Sequence, residues 1–99
     1  MGQEDKSAYE KEMEARLREL DAEMELLQAK AERLEADAQR RSRTVMDDLR
    51  EQRDRVAEQL ESYRESAGSA IEEIRRGLES AVNDFSEGIK RASRRIEEE

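Results

Sequence analysis

The sequence lacks cysteine, proline, histidine and tryptophan altogether, and only three of its 99 residues are aromatic. Without cysteine the chain can form neither a disulfide nor a thiolate nucleophile. Without histidine it lacks the usual general base and the commonest metal ligand. Hydrophobic residues make up 34% of the chain and aromatic residues 3%, which is too little to fill a broad globular core. We therefore expect a non-enzymatic protein whose apolar residues line a stripe.

The absence of proline leaves long helices uninterrupted, since no residue removes a hydrogen bond from the helical ladder. Charged residues account for 46% of the chain. Such a composition is typical of long helices and coiled coils, but low hydropathy is also typical of disordered chains. The spacing of the apolar residues has to decide between these two classes.

Long hydrophobic runs are also missing, and none approaches the roughly 20 residues that a membrane span requires. Residues 1–10 are polar and acidic, unlike a secretory signal peptide, so we expect a cytoplasmic protein. The net charge of −8 argues against non-specific nucleic-acid binding, and three aromatic residues are too few for base stacking, so we expect no specific nucleic-acid partner. Adjacent carboxylates on a helix diverge instead of converging on a cation, so we expect no metal site and no cofactor.

The first half of the chain carries a heptad pattern over residues 13–38. Its small or apolar residues are separated by alternating steps of four and three residues. Sustained spacing of this kind predicts a coiled-coil seam, here called the heptad seam. Its members are Met13, Leu17, Leu20, Met24, Leu27, Ala31, Leu34 and Ala38.

The second half follows an 11-residue repeat over residues 56–96, with steps of four, three and four. Eleven residues in three turns favour a nearly straight or slightly right-handed bundle. Gly77 and Gly88 lie in register on one flank of this repeat, where they indicate close helix packing. The repeat consists of Val56, Leu60, Tyr63, Ala67, Ile71, Ile74, Leu78, Val82, Phe85, Ile89, Ser93 and Ile96.

Two segments are candidates for a bend or turn within the single helical unit predicted for residues 1–99. Residues 40–44 are polar and basic but contain no glycine or proline, so a continuous helix is favoured there over a hairpin. Residues 66–69 are rich in serine and glycine, and Ser69 with Glu72 matches a helix N-terminal capping box. A turn and a continuous helix both remain open at 66–69. The predicted fold is all-α, as a coiled coil, helical hairpin or bundle.

Three segments of the chain are SAYEKEM at 7–13, LREQRD at 49–54 and SAGSAIEEIRRG at 66–77. These segments resemble small bacterial proteins known only as coiled-coil domain-containing proteins. The resemblance implies a soluble helical protein and carries over no site. Ile71 and Val82 stand where an aromatic residue is expected in such relatives. The 11-residue repeat is also similar to the amphipathic helices of exchangeable apolipoproteins and late-embryogenesis-abundant proteins.

An isolated amphipathic helix is only marginally stable in water, so the apolar stripe needs a surface that packs against it and covers it. The cover could be the same chain folded back, another copy, a different helical protein, or lipid. We expect a structural or interaction protein that forms a homo-oligomer or binds another helical protein. Its interaction stripe is predicted to comprise Leu17, Leu20, Leu27, Leu34, Val56, Leu60, Tyr63, Ile71, Ile74, Leu78, Val82, Phe85, Ile89 and Ile96.

Two other functions are compatible with the same pattern. Helix 69–96 could bind an anionic membrane surface reversibly, because basic residues flank its apolar face. This lipid-facing basic flank would comprise Arg75, Arg76, Lys90, Arg91, Arg94 and Arg95. Alternatively, the chain could be a stress-protective protein that folds conditionally.

Overall fold

Three helices of nearly equal length form the fold in the computed structural model, which describes residues 3–98 and side chains from Asp5 to Glu98. Helix α1 spans Gln3–Glu32, α2 spans Ala36–Glu65 and α3 spans Ala70–Glu98. Each helix packs against both others. The all-α prediction is therefore confirmed, and the apolar stripe is covered by the chain folding back on itself. The resulting rod measures 52 × 18 × 16 Å.

The first turn lies at residues 33–35, inside the predicted heptad seam. The seam over 13–38 is therefore not one helix, because Leu34 lies in the turn and Ala38 lies in α2. No glycine or proline breaks α1. Instead, the Arg33 and Leu34 amides donate to the carbonyls of Lys30 and Ala31, which tightens the last turn. Glu35 then adopts an extended conformation before α2.

Helix α2 runs without interruption through residues 40–44, and the second turn lies at 66–69. Gly68 has φ +68°, a left-handed conformation that costs other residues roughly 1–2 kcal/mol. This turn divides the 11-residue repeat between two antiparallel helices. Ala67, although in phase with the repeat, is consequently exposed.

One hydrophobic core runs along the axis of the bundle. Each large aliphatic or aromatic side chain that is fully buried there contributes about 1.5–3 kcal/mol. The largest side chains in the core that are essentially inaccessible to solvent are Tyr63, Phe85, Leu78, Val56 and Val82.

The interface between α2 and α3 is especially close at the two glycines predicted to mark tight packing. A Cβ atom at Gly77 would lie 3.0 Å from Gln59 Oε1, and one at Gly88 would overlap Gln52 Oε1. The Gly88 position would also place a Cβ 3.1 Å from Leu49 Cδ2. Both glycines therefore let the side chains of α2 approach the backbone of α3.

Candidate functional site

The predicted interaction stripe lies mostly inside the bundle. Four members, at the margins of the core, are only partly buried: Leu17, Leu34, Ile71 and Ile74. The other members are buried, namely Leu20, Leu27, Val56, Leu60, Tyr63, Leu78, Val82, Phe85, Ile89 and Ile96. Most of this stripe is therefore inaccessible to a partner that binds the folded chain.

A groove with a volume of about 670 Å³ lies between α1 and α3. Its floor is formed by the stripe residues Leu20, Leu27 and Ile89, each no more than 8% exposed. Leu26 stands on its rim and is 65% exposed, the one large hydrophobic residue so exposed among those described. Leu26 lies outside the heptad pattern, so the periodicity of the sequence does not identify it as part of a surface site.

The two walls of this α1/α3 groove differ in charge. Near its middle, α1 contributes Glu19 and Glu23, whereas α3 contributes Lys90 and Arg94. The groove is completed by Arg16 and Lys30 near its ends and by the small polar residues Ser86 and Ser93. It is therefore apolar at the base, with an acidic centre on one wall and a basic opposite wall.

Helices α1 and α3 run in the same direction, and two polar contacts fix their relative level. Tyr9 donates a hydrogen bond of 3.0 Å to Glu79 Oε1. Further along, Lys30 Nζ lies 4.0 Å from Glu97 Oε1. Lys30 and Glu97 therefore lie at the same height along the bundle axis. Because the two helices run in the same direction, Glu23 and Lys90, each seven residues earlier, also lie at nearly the same height.

The predicted basic flank does not form one continuous surface. The Arg75 guanidinium lies 4.1 Å from the centroid of the Tyr9 ring and 3.6 Å from Glu79 Oε1. It thereby joins the contact between α1 and α3, and Arg76 is exposed nearby on α3. The other four flank residues lie far along α3, close to its carboxyl end. They are Lys90, Arg91, Arg94 and Arg95.

Folding brings those four residues together with the basic segments on either side of the first turn. Arg41 of α2 and Arg95 of α3 line one depression, and Arg91 joins Arg95 in the next. Residues 30–43 and 90–99 contain nine basic and six acidic residues, net +3. The remaining residues contain ten basic and twenty-one acidic residues, net −11. We call the described part of this region, residues 30–43 and 90–98, the basic end.

Tyr9 lies at the opposite end, in a cluster that ties all three helices together. Its ring centroid is 5.0 Å from that of Tyr63, at a tilt of 56°. Burial, reinforced by the hydrogen bond to Glu79, raises the pKa of Tyr9 to about 12. The Lys6 ammonium nearby donates to the carbonyls of Arg64 and Ser66, at 2.8 and 2.6 Å. Since these carbonyls end α2, the cluster also caps that helix.

The described residues present no constellation for metal binding: nowhere between residues 3 and 98 do three acidic side chains converge on a common point. Over the same part of the chain, no helix combines the length and the apolar character needed to cross a membrane. Two features of the described surface could contact a partner: the α1/α3 groove, which has an apolar floor, and the basic end.

Comparison of the chain with protein-family profiles, with curated protein sequences and with solved structures gives no match.

Proposed function

We propose that the protein is a non-enzymatic helical interaction protein that self-associates through the α1/α3 groove. The observation that carries this proposal is Leu26, which is 65% exposed beside a floor of buried aliphatic side chains. A single exposed leucine is ordinary on a protein surface. A leucine on the rim of a groove with an apolar floor, in contrast, gains about 1.5–3 kcal/mol if a partner fully covers it.

The length of the groove suits packing against a second bundle. It is lined on α1 from Arg16 to Lys30, fifteen residues, which correspond to about 22 Å of helix. Two such grooves facing each other would bring α1 and α3 of both copies together as a four-helix arrangement over about four turns.

The charges of the walls favour a second copy of the chain. In a dimer with its two-fold axis parallel to the helices, α1 of each protomer faces α3 of its partner. Glu23 then faces Lys90 of the partner subunit at nearly the same level, and the symmetry repeats this contact. Because the acidic centre of one wall meets the basic wall of the other, the surface is complementary to itself.

Light scattering coupled to size exclusion, over a range of concentrations, tests the proposal together with far-ultraviolet circular dichroism. The wild-type chain should rise in mass with concentration. Leu26→Lys should weaken association because it places an ammonium over the apolar floor. Ala29→Lys adds the same charge at an exposed position of α1 outside the groove and should leave association unchanged. A wild-type chain that stays monomeric, or equal weakening by both variants, would contradict the proposal.

Charge reversal tests the orientation of the two copies. Glu23→Lys should weaken association by placing like charges opposite each other. The double variant Glu23→Lys/Lys90→Glu should restore it, since the two walls then exchange signs. Loss of association in the double variant as severe as in the single variant would exclude the arrangement with α1 facing α3 of the partner.

A further inference from the structure

We propose that the basic end of the bundle docks on anionic lipid headgroups at a membrane surface, with the three helices intact. This inference is independent of self-association, because it concerns the end of the rod and not its groove. It also differs from insertion of the α3 stripe, because that stripe stays buried among the three helices.

The first support is the separation of charge along the molecule. The chain as a whole is acidic, yet residues 30–43 and 90–99 together carry net +3 and the rest of the sequence carries net −11. An anionic surface would attract the basic end and repel the remainder. The rod, 52 Å long, would therefore meet such a surface with the basic end leading.

The second support is the number of arginines at this end whose charge is uncompensated. Lys30, Arg40 and Lys90 have carboxylate partners within the chain. Among the residues the structure describes, five exposed arginines of this end have no ion-pair or hydrogen-bond partner for their side chains. These are Arg33, Arg43, Arg91, Arg94 and Arg95. Their guanidinium groups are thus available to phosphate and carboxylate oxygens.

A lipid surface is favoured over a nucleic acid by what accompanies these arginines. The aromatic residues of the chain, Tyr9, Tyr63 and Phe85, all lie outside residues 30–43 and 90–98. The stacking that holds single-stranded nucleic acids is therefore absent from the basic end. The arginines lie in the first turn, on α2 and on α3, around the tip of a rod, which is an arrangement suited to a flat surface. Leu34, partly buried in the first turn, adds an apolar side chain to the same tip.

Co-sedimentation with vesicles tests the proposal on the full chain. Equimolar phosphatidylserine–phosphatidylcholine vesicles should bind the wild-type chain at low salt and release it at high salt. Pure phosphatidylcholine vesicles should not bind it. Circular dichroism should show the same helix content before and after binding, because the bundle docks without unfolding.

A pair of matched double variants locates the binding surface. Arg91→Gln/Arg95→Gln removes two charges from the basic end without altering the residues that line the α1/α3 groove. Arg55→Gln/Arg76→Gln removes two exposed charges elsewhere. The first variant should bind the anionic vesicles at least about tenfold more weakly, since each basic residue near such a surface contributes severalfold in affinity. The second should bind like the wild type.

Four results would overturn the proposal: no sedimentation of the wild type with anionic vesicles, equal loss in both double variants, no loss in either, or tighter binding to duplex DNA than to the vesicles. Circular dichroism and light scattering of each variant establish that it is folded and associates like the wild type. Loss of vesicle binding can therefore be separated from unfolding, and from failure of the groove proposal.

Discussion

Replacement of Gln52 by methionine should stabilise the protein, which is an unusual expectation for a substitution at a close helix interface. Gln52 lies on α2 opposite Gly88, and its Oε1 atom is buried without a hydrogen-bond donor among the described residues. A buried amide oxygen without a partner costs about 1–3 kcal/mol. Methionine has a similar length and flexibility but no such group, so the contact with Gly88 is kept while the desolvation cost is removed.

The expected gain is therefore about 1–2 kcal/mol in the free energy of unfolding, or roughly 5–10 °C in Tm for a domain of this size. Urea denaturation followed by circular dichroism measures it, with an unchanged m-value as the sign that both states keep their exposed surface. Gln59→Met is the matched control. Gln59 lies seven residues along the same helix and faces Gly77, but its amide is not among the buried atoms that lack a partner.

The control should change stability by less than about 0.5 kcal/mol. A Gln52→Met variant no more stable than the wild type would refute the reasoning, because the unpaired oxygen would then carry no cost. An equal gain in Gln59→Met would refute it as well, since the effect would come from added apolar surface at the interface and not from removal of an unpaired group.

Two further predictions concern the second turn and the tyrosine cluster. Gly68→Ala should lower the free energy of unfolding by about 1 kcal/mol in urea denaturation, because φ is +68° there while no atom obstructs a Cβ; an unchanged midpoint would show that the turn relaxes without cost. The Tyr9 pKa of about 12, against 10.0 for an unperturbed tyrosine, means that the folded state holds this proton more tightly than the unfolded state. The resulting stability is complete below pH 10 and is lost as the pH rises towards 12. Tyr9→Phe should therefore flatten the decline of stability over this interval, while Tyr63, whose pKa burial also raises, keeps part of it; identical declines in the two proteins would contradict the assignment.

The residues of the core could be predicted from sequence because burial follows periodicity. One face of a helix carries Leu78, Val82, Phe85 and Ile89. Such an apolar face is expected to be buried, whichever surface packs against it. The closeness of α3 to α2 was likewise predictable from Gly88, whose presence in a helix is costly unless another group approaches its backbone.

The position of the first turn could not be predicted in the same way. Residues 33–35 contain no helix breaker, and the apolar steps continue through Leu34 to Ala38. Tertiary packing determines the position of this turn, because ending α1 at Glu32 gives three helices of nearly equal length, 30, 30 and 29 residues, each packed against both others. Local propensity is a weak influence where three long amphipathic segments can bury their faces together.

Both candidate surfaces exist only in the folded chain, and for this reason neither could be predicted from a single segment. The α1/α3 groove needs α1 held beside α3, and much of what orients α1 is polar. Arg53 of α2 bonds Asp21 at 3.0 Å, Arg64 pairs with Glu10 and Glu14, and Tyr9 bonds Glu79. The basic end needs both turns, which place the end of α1, the start of α2 and the end of α3 at one tip. An apolar stripe predicts which residues form the core. The surface available to a partner depends instead on which polar side chains the fold leaves without partners within the chain.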